Sequence, residues 1–250
     1  MSTTTIAVLA FVTAGLLTMP VFAVVARGRP MDADVAGRGA TPLIGRWVRD
    51  WLMWLIAPLE RALVRAGVTP DALNIAGMLF GAAAGVAYAR ASLELGGLLV
   101  LAGGVCDVLD GRVARARGVA GAYGEFIDSV LDRFAETFTF LGLAWHFAGQ
   151  PIATVIVAAA LGASLLVSYA RAKGDAVGVA NRGGIMQRAE RLVLLAAASI
   201  FGVPLAHLVG GTPDGVLYDA LWLIALGAFG TAAWRTVKIA RELRGRGSSK

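Results

Sequence analysis

Long apolar stretches alternate with short polar links along most of the 250-residue chain. Residues 5–26 form an apolar run long enough to span a bilayer, and no positive charge precedes it. This arrangement favours an uncleaved first span over a cleaved secretory signal peptide. Six further spans are predicted, at residues 72–90, 95–117, 122–147, 151–173, 188–209 and 216–238. The pattern therefore predicts an all-α, polytopic membrane protein, with a six-helix transmembrane bundle and one extra N-terminal transmembrane helix.

Residues 43–66 have a different pattern, in which apolar side chains recur at helical spacing between charged ones. Trp47, Trp51 and Trp54 share the apolar face, and tryptophan is enriched at the headgroup boundary of membranes. The segment predicts an amphipathic helix that lies at the interface and precedes the six-helix bundle, with a bend at Pro58. Packing of this helix against the polar ends of the spans is the alternative.

Charged residues are concentrated in the links between the spans. They make up 16% of the chain, against about 25% in a typical soluble domain, and the net charge is +6. Arginine is abundant in the links at 112–121 and 171–191 and in the tail after Trp234, and scarce in the other links. Seven crossings that start outside put every arginine-rich segment in the cytoplasm, which predicts a multi-pass plasma-membrane protein with a cytoplasmic C-terminus. No aromatic-rich basic platform indicates nucleic-acid binding.

These features divide the chain into three predicted parts. Residues 1–41 hold the extra span and a cytoplasmic linker, residues 42–240 hold the interfacial helix and the bundle, and residues 241–250 form a basic tail that we expect to fray at the membrane surface. The single cysteine, Cys106, cannot form an intrachain disulfide and is expected to be a small packing residue. His146 and His207 fall at predicted outer ends of spans, where we expect interfacial or packing roles.

The stretch from residue 106 to residue 132 contains four aspartates within an otherwise apolar part of the chain. They are Asp107, Asp110, Asp128 and Asp132. The first pair is spaced i, i+3 and the second i, i+4, so each pair shares one face of a helix. Clustered carboxylates in or beside a membrane need neutralising cations, and oxygen ligands suit Mg²⁺ or Mn²⁺. The four aspartates are therefore predicted metal ligands, while Glu125 and Glu136 are expected to be structural or solvent-facing.

The residues between these aspartates add a candidate phosphate site. Gly111 and Ala114 leave the helix face bare beside the carboxylates, and Arg115 on the same face has a planar guanidinium that suits a phosphate. Gly124 removes a side chain one turn before Asp128. Bound metals would neutralise a diphosphate, and one carboxylate would remain to take a proton from an attacking hydroxyl. A cation transporter that uses intramembrane aspartates is the alternative, although it leaves this bare face and its arginine unexplained.

The whole stretch follows the pattern Asp-x2-Asp-Gly-x2-Ala-Arg-x8-Gly-x3-Asp-x3-Asp. The eight fixed positions are Asp107, Asp110, Gly111, Ala114, Arg115, Gly124, Asp128 and Asp132. This pattern resembles the signature of the CDP-alcohol phosphatidyltransferases. The architecture of residues 43–240 is also similar to that of the family, whereas the span at 5–26 departs from it.

The resemblance implies transfer of a phosphatidyl group from a CDP-linked lipid, usually CDP-diacylglycerol, to the hydroxyl of a small polar alcohol, with release of CMP. It implies that Asp107, Asp110 and Asp128 hold two Mg²⁺ or Mn²⁺ ions, and that Asp132 contributes to one ion and acts as the catalytic base. It further implies that the cytidine and the diphosphate are bound by Gly111, Ala114, Arg115 and Gly124. The family is typically homodimeric.

A second basic cluster bears on the acceptor alcohol. Arg171 and Lys173 end one predicted span, and Arg188 and Arg191 open the next, so the four could bind an anionic acceptor such as a sugar phosphate. For Arg182 in the link between them we expect ordinary cytoplasmic charge.

The segment from residue 168 to residue 192 is similar to the phosphatidylinositol-phosphate synthase branch of the family, which uses inositol phosphate. The matching residues are Ser168, Tyr169, Arg171, Lys173, Gly183, Gly184, Arg188, Glu190 and Arg191. Two departures are Ala189, where proline is common, and the reversed order of arginine and lysine at positions 171 and 173. The resemblance implies inositol phosphate as the acceptor, with glycerol 3-phosphate as the alternative.

Overall fold

A computed structural model of the chain describes residues 3–37, 44–181 and 183–247. All regular structure in these ranges is helical, which confirms the all-α prediction. The N-terminal helices are α1 (Thr3–Leu16), α2 (Thr18–Val25), α3 (Ala33–Gly37) and α4 (Arg46–Arg65), with a 3-10 turn at Ala26–Gly28. The remaining helices are α5 (Pro70–Ala89), α6 (Leu93–Ala116), α7 (Ala122–His146), α8 (Pro151–Ala176), α9 (Arg188–Ile200), α10 (Gly202–Val209) and α11 (Pro213–Gly247).

Several of these helices are candidates to cross a membrane. Within the described residues, Ile6–Gly28, α5, α8 and most of α11 are long and apolar enough, and α9 and α10 form a further candidate that bends by 72° between them. Helices α6 and α7 carry the aspartates and are not among these candidates, yet their 24 and 25 residues reach about 36 Å, which exceeds the ~30 Å hydrocarbon core. The chain is a multi-pass membrane protein, and the finer count of six spans plus one stays a prediction.

Helix α5 packs against both helices that carry the aspartates. On the α7 side, the two backbones touch at glycines. A Cβ added at Gly81 would lie 2.6 Å from the Ala135 Cα, and one at Gly85 would lie 2.3 Å from the Phe138 carbonyl oxygen. A Cβ at Gly142 would lie 2.0 Å from the Gly85 oxygen. Small residues at these positions therefore set the distance between α5 and α7.

On its other side, α5 contacts α6 and α9. A Cβ at Gly77 would lie 3.5 Å from the Cβ of Cys106, which is buried and free of any disulfide, in line with the packing role expected for it. The buried hydroxyls of Tyr88 and Ser199 form a 2.8 Å hydrogen bond that joins α5 to α9. Helix α5 is thus the shared support of α6 and α7, and this hydrogen bond ties it to α9.

The extra N-terminal span packs on the tryptophan face of α4. Phe22 is fully buried, with its ring centroid 5.5 Å from that of Trp47 and 5.6 Å from that of Trp54. The Trp51 indole N–H donates to the Thr18 hydroxyl over 2.9 Å. The tryptophans therefore hold a neighbouring helix, which favours the packing alternative for this face of α4. Helix α4 is continuous through Pro58.

Two segments are more ordered than their composition predicted. Residues 29–37 were expected to be a plain cytoplasmic linker, but they pack onto α4 and α6, because their charged side chains find partners there. The basic tail was expected to fray from residue 241, but α11 continues as helix to Gly247. His146 at the C-terminal end of α7 contacts Asp214 over 2.9 Å, which agrees with a packing role.

The glycine contacts between α5 and α7 generate a test of the fold. The change Gly142→Ala forces the two backbones apart, and overpacking of this kind costs about 1–3 kcal/mol. We expect the thermal unfolding temperature of the purified protein in detergent to fall by several degrees. The matched control is Gly162→Ala on α8, where an added Cβ meets no heavy atom within 4 Å. An unchanged unfolding temperature in Gly142→Ala would show that the close contact is not a packing constraint.

Candidate functional site

Three of the four predicted metal ligands converge where α6 faces α7. One carboxylate oxygen from each of Asp107, Asp128 and Asp132 lies within 4.8 Å of the other two. The Oδ1 atom of Asp128 is buried and has no hydrogen-bond partner among the described residues. An all-oxygen cluster with an unused buried lone pair fits a hard divalent cation such as Mg²⁺ or Mn²⁺.

The fourth aspartate, Asp110, lies beside this cluster but outside the group of three. Its side chain is buried and accepts a hydrogen bond from the Gly111 backbone N–H. It also interacts electrostatically with Asp107 and Asp128, so it lies close to the other carboxylates. In this conformation Asp110 does not belong to the group of carboxylates whose oxygens lie within 4.8 Å of one another. Its role as a metal ligand stays a prediction.

Arg188, at the start of α9, faces the same carboxylates. Its Nη1 atom is 3.5 Å from the Asp107 Oδ1, and it also contacts the Asp132 Oδ2. A guanidinium at this position lowers the mutual repulsion of the three carboxylates. Arg188 was predicted as an acceptor ligand, and the structure places that side chain in contact with the aspartate cluster.

One turn further along α7 and α9, a buried ion pair joins the two helices. The Nε and Nη2 atoms of Arg191 donate to the Glu136 Oε1 over 3.1 and 2.9 Å. Both side chains are at most 3% exposed. Glu136 is therefore structural, not solvent-facing. Arg191 is closed to solvent in this conformation, so its predicted contact with an acceptor stays a prediction.

The other two predicted acceptor residues lie at the C-terminal end of α8. Arg171 and Lys173 are both exposed, and the Arg171 Nε is 3.9 Å from the Asp175 Oδ2. They are open to a soluble ligand, in contrast to Arg191. Arg182 lies outside the described residues.

Sequence reasoning missed Arg235, which holds the loop between α8 and α9. This residue on α11 is 3% exposed and donates to the carbonyls of Gly183 and Val167, each over 2.8 Å. The Thr231 hydroxyl accepts from the Met186 N–H over 3.0 Å and adds a second clamp. The loop leads directly into Arg188, so α11 fixes where α9 begins. A charged residue within the predicted span at 216–238 was the available signal.

The positions predicted to leave room for a nucleotide differ in what surrounds them. A Cβ added at Gly124 would meet no heavy atom within 4 Å, and Ala114 is partly exposed. At Gly111 an added Cβ would lie 3.2 Å from the Nη1 of Arg115, so this guanidinium lies against the bare glycine. Glu125 at the start of α7 is exposed, as expected.

A cavity of about 30 Å³ lies behind the carboxylates, among α5, α6, α7 and α9. Asp107, Asp132 and Glu136 line it, together with glycines of α5 and α6. A cavity of this volume has room for one water molecule.

Comparison with known proteins identifies this arrangement. Residues 67–237 match the sequence model of the CDP-alcohol phosphatidyltransferase family. The chain is 34% identical to the phosphatidylinositol phosphate synthase of Streptomyces avermitilis over 229 residues, which are 86% of this chain and 91% of that protein. It is 37% identical to the phosphatidylinositol phosphate synthase of Mycobacteroides abscessus over 195 residues, which are 75% and 84% of the two chains.

Solved structures give the same result. The Mycobacterium tuberculosis phosphatidylinositol phosphate synthase with CDP-DAG bound superimposes with a TM-score of 0.64 at 27% identity, over 73% of this chain and 92% of that one. The same enzyme in complex with manganese and citrate gives a TM-score of 0.65 at 27% identity, over 73% and 87%. The family match at residues 67–237 includes the eight-residue pattern, and the chain belongs to the CDP-alcohol phosphatidyltransferase family.

Proposed function

We propose that this protein transfers the phosphatidyl group of CDP-diacylglycerol to a hydroxyl of inositol phosphate and releases CMP, as a step in phospholipid biosynthesis. The observation that carries this proposal is the convergence of Asp107, Asp128 and Asp132 beside Arg188. This arrangement puts a metal-binding carboxylate cluster next to a fixed cation, as a reaction between two phosphate-bearing substrates requires.

The carboxylate cluster, with Asp110 beside it, would hold Mg²⁺ or Mn²⁺, in two sites by family resemblance. Bound metal ions supply positive charge that neutralises the donor diphosphate and its leaving CMP. Arg115 binds the diphosphate through its planar guanidinium. The bare positions at Gly111, Ala114 and Gly124 leave room for the cytidine. Manganese in the mycobacterial structure supports this choice of metal.

Asp132 is the proposed base. Its carboxylate lies at the edge of the cluster nearest Arg188, so an acceptor held by that arginine would present its hydroxyl to this carboxylate. Asp132 takes the proton as the hydroxyl oxygen attacks the phosphorus of the phosphatidyl group, and CMP leaves.

The acceptor is proposed from charge and from the relatives. Arg188 at the cluster, with the exposed Arg171 and Lys173 at the end of α8, would hold a phosphate on the acceptor. The S. avermitilis and M. abscessus relatives are named phosphatidylinositol phosphate synthases, which favours inositol phosphate as the acceptor. Glycerol 3-phosphate is also anionic and is the second candidate.

In the membrane, we propose seven crossings, with α6 and α7 counted as spans and the N-terminus outside. The aspartate cluster and the arginine-rich ends of α6 and α8 would then face the cytoplasm of a plasma-membrane protein. Residues 42–240 form the catalytic unit in this proposal. CDP-diacylglycerol would enter sideways from the bilayer, and the acceptor would enter from the cytoplasm.

We also propose a homodimer. Helices α5 and α7 present an exposed apolar face with Val86, Leu141 and Trp145 beside the buried contact of Gly85 with Gly142. An apolar face of this kind can pack against the helices of a second copy within the membrane. Family resemblance supports the same assembly.

The base assignment predicts that Asp132→Asn lowers kcat for CMP release by at least about a hundredfold, because general bases typically contribute 10²–10⁴. Equilibrium binding of CDP should remain measurable, because Asp132 is not part of the bare nucleotide face. The matched control is Asp214→Asn, which removes a carboxylate beside His146 at the opposite end of the bundle. Full turnover in Asp132→Asn would contradict the assignment.

The metal proposal predicts that chelation with EDTA abolishes CMP release and that Mg²⁺ or Mn²⁺ restores it. In Asp128→Asn, the concentration of metal ion needed for half-maximal activity should rise at least about tenfold, because a carboxylate ligand with an unused buried oxygen is lost. Titration of CMP release against metal concentration measures this shift. Unchanged activity after chelation would remove the metal from the mechanism.

The acceptor proposal predicts CMP release with inositol phosphate and none with unphosphorylated inositol or serine. Lys173→Gln should raise the KM for inositol phosphate about tenfold or more, since a charge-assisted phosphate contact is lost, and leave the donor KM unchanged. Arg241→Gln, another exposed cation on α11, is the control. Turnover with glycerol 3-phosphate alone would assign that acceptor instead.

A further inference from the structure

The extra N-terminal part of the chain reaches the donor site through a short acidic segment. This strap, defined as residues 29–37, lies before residue 67, where the family match begins. Arg29 at its start pairs with Asp50 of α4 over 2.7 Å, and the backbone N–H of Asp32 donates to the same carboxylate over 2.9 Å. Val35 of the strap is buried against α4 and α6. The strap is therefore docked onto the helices of the catalytic unit.

The strap contacts two arginines on the last turns of α6. Arg112 is 15% exposed, and its guanidinium meets Glu60 over 2.5 Å, Asp32 over 3.0 Å and Asp34 over 3.4 Å. Arg115 is 45% exposed, and its Nη2 donates to the Asp34 Oδ2 over 2.6 Å. The inner arginine is thus held by several carboxylates, while the outer one has a single short contact with Asp34 among the described residues.

The Arg115 contact matters because of where it holds the guanidinium. The Nη1 atom of Arg115 lies against Gly111, on the face that the sequence leaves bare for the nucleotide. Asp34 therefore neutralises the cation that a donor diphosphate would use, and it adds a negative charge at the mouth of that site. A diphosphate that pairs with the Nη2 atom of Arg115 takes the place of this carboxylate.

We propose that Asp34 sets the affinity for the donor, as an internal counter-ion that the diphosphate of a CDP-linked substrate displaces from Arg115. This inference rests on the proposed function, because it assumes that the bare face takes a nucleoside diphosphate. Asp34 lowers donor affinity by the free energy of its own contact with Arg115. The donor's diphosphate offers more charge and a bidentate contact, and so it wins the exchange.

The two arginines differ in how firmly they hold the strap, so the diphosphate can displace Asp34 without detaching the strap. Exposed ion pairs such as Asp34 with Arg115 are weak, so the diphosphate can break this one. Arg112 is more buried and keeps Asp32 and Glu60, so the strap stays attached when Asp34 is released.

The test compares the full-length protein with Asp34→Asn. Because an exposed ion pair of this kind changes an equilibrium by about two- to fivefold, the variant should bind CDP in the presence of Mg²⁺ about two- to fivefold more tightly. The KM for CDP-diacylglycerol should fall by the same factor, with kcat and the acceptor KM unchanged. Asp34→Glu keeps the carboxylate and should restore wild-type affinity. Unchanged or weaker CDP binding in Asp34→Asn would overturn the proposal.

The control is Glu242→Gln, which removes the carboxylate of another exposed carboxylate–arginine pair, the 2.7 Å contact with Arg246 on α11. It should leave CDP affinity unchanged. If this variant also binds CDP more tightly, the effect is one of net charge, and a specific role for Asp34 is overturned. The two proposals fail separately. If Asp34→Asn binds CDP more tightly but the protein releases no CMP, only the proposed function is contradicted. If CMP is released and the donor KM of Asp34→Asn is unaltered, only the proposed role of Asp34 is contradicted.

Discussion

Electrostatic repulsion among carboxylates is the constraint on which the rest of this structure depends. Three carboxylate oxygens within 4.8 Å repel one another strongly at the edge of a membrane, where water screens poorly. The helices that carry them must therefore be fixed by other contacts. Helix α5 provides these contacts, because its glycines let α7 approach on one side and α6 on the other. Arg188 then supplies a positive charge at the point of convergence.

Charged side chains inside the bundle position α9 so that Arg188 reaches this point. Glu136 and Arg191 form a buried pair, and such pairs fix one arrangement of two helices more than they add stability, since desolvation offsets most of their attraction. Arg235 acts from the other side by holding the backbone of the preceding loop. The loop before α9 is thus held by Arg235, and the start of α9 is held by the pair of Glu136 with Arg191. An acceptor bound to this segment would therefore lie at a fixed distance from the carboxylate cluster.

Local periodicity explains what the sequence could predict. Hydrophobic runs gave the helices, and the i, i+3 and i, i+4 spacings gave the shared faces of the four aspartates. Spacing along one helix does not say which distant residue a side chain meets. Arg191 was therefore expected on an open surface, whereas it pairs with Glu136 on α7. Arg115 was expected to be available for a phosphate, whereas Asp34, 81 positions earlier in the chain, holds it. Both partners depend on tertiary packing that no short pattern records.

The position of Arg112 indicates how the extra N-terminal part joins the catalytic unit. Arg112 occupies one of the two unspecified positions between Gly111 and Ala114, so the signature leaves its identity free. At that position the side chain contacts the strap through Asp32 and shares the Asp34 carboxylate with Arg115. Phe22 and the tryptophans of α4 fix the extra span at one end, and Arg112 fixes the strap at the other. At one of the free positions of the signature this chain attaches a segment that lies outside the family match at residues 67–237, and the contact of Asp34 with Arg115 follows from that attachment.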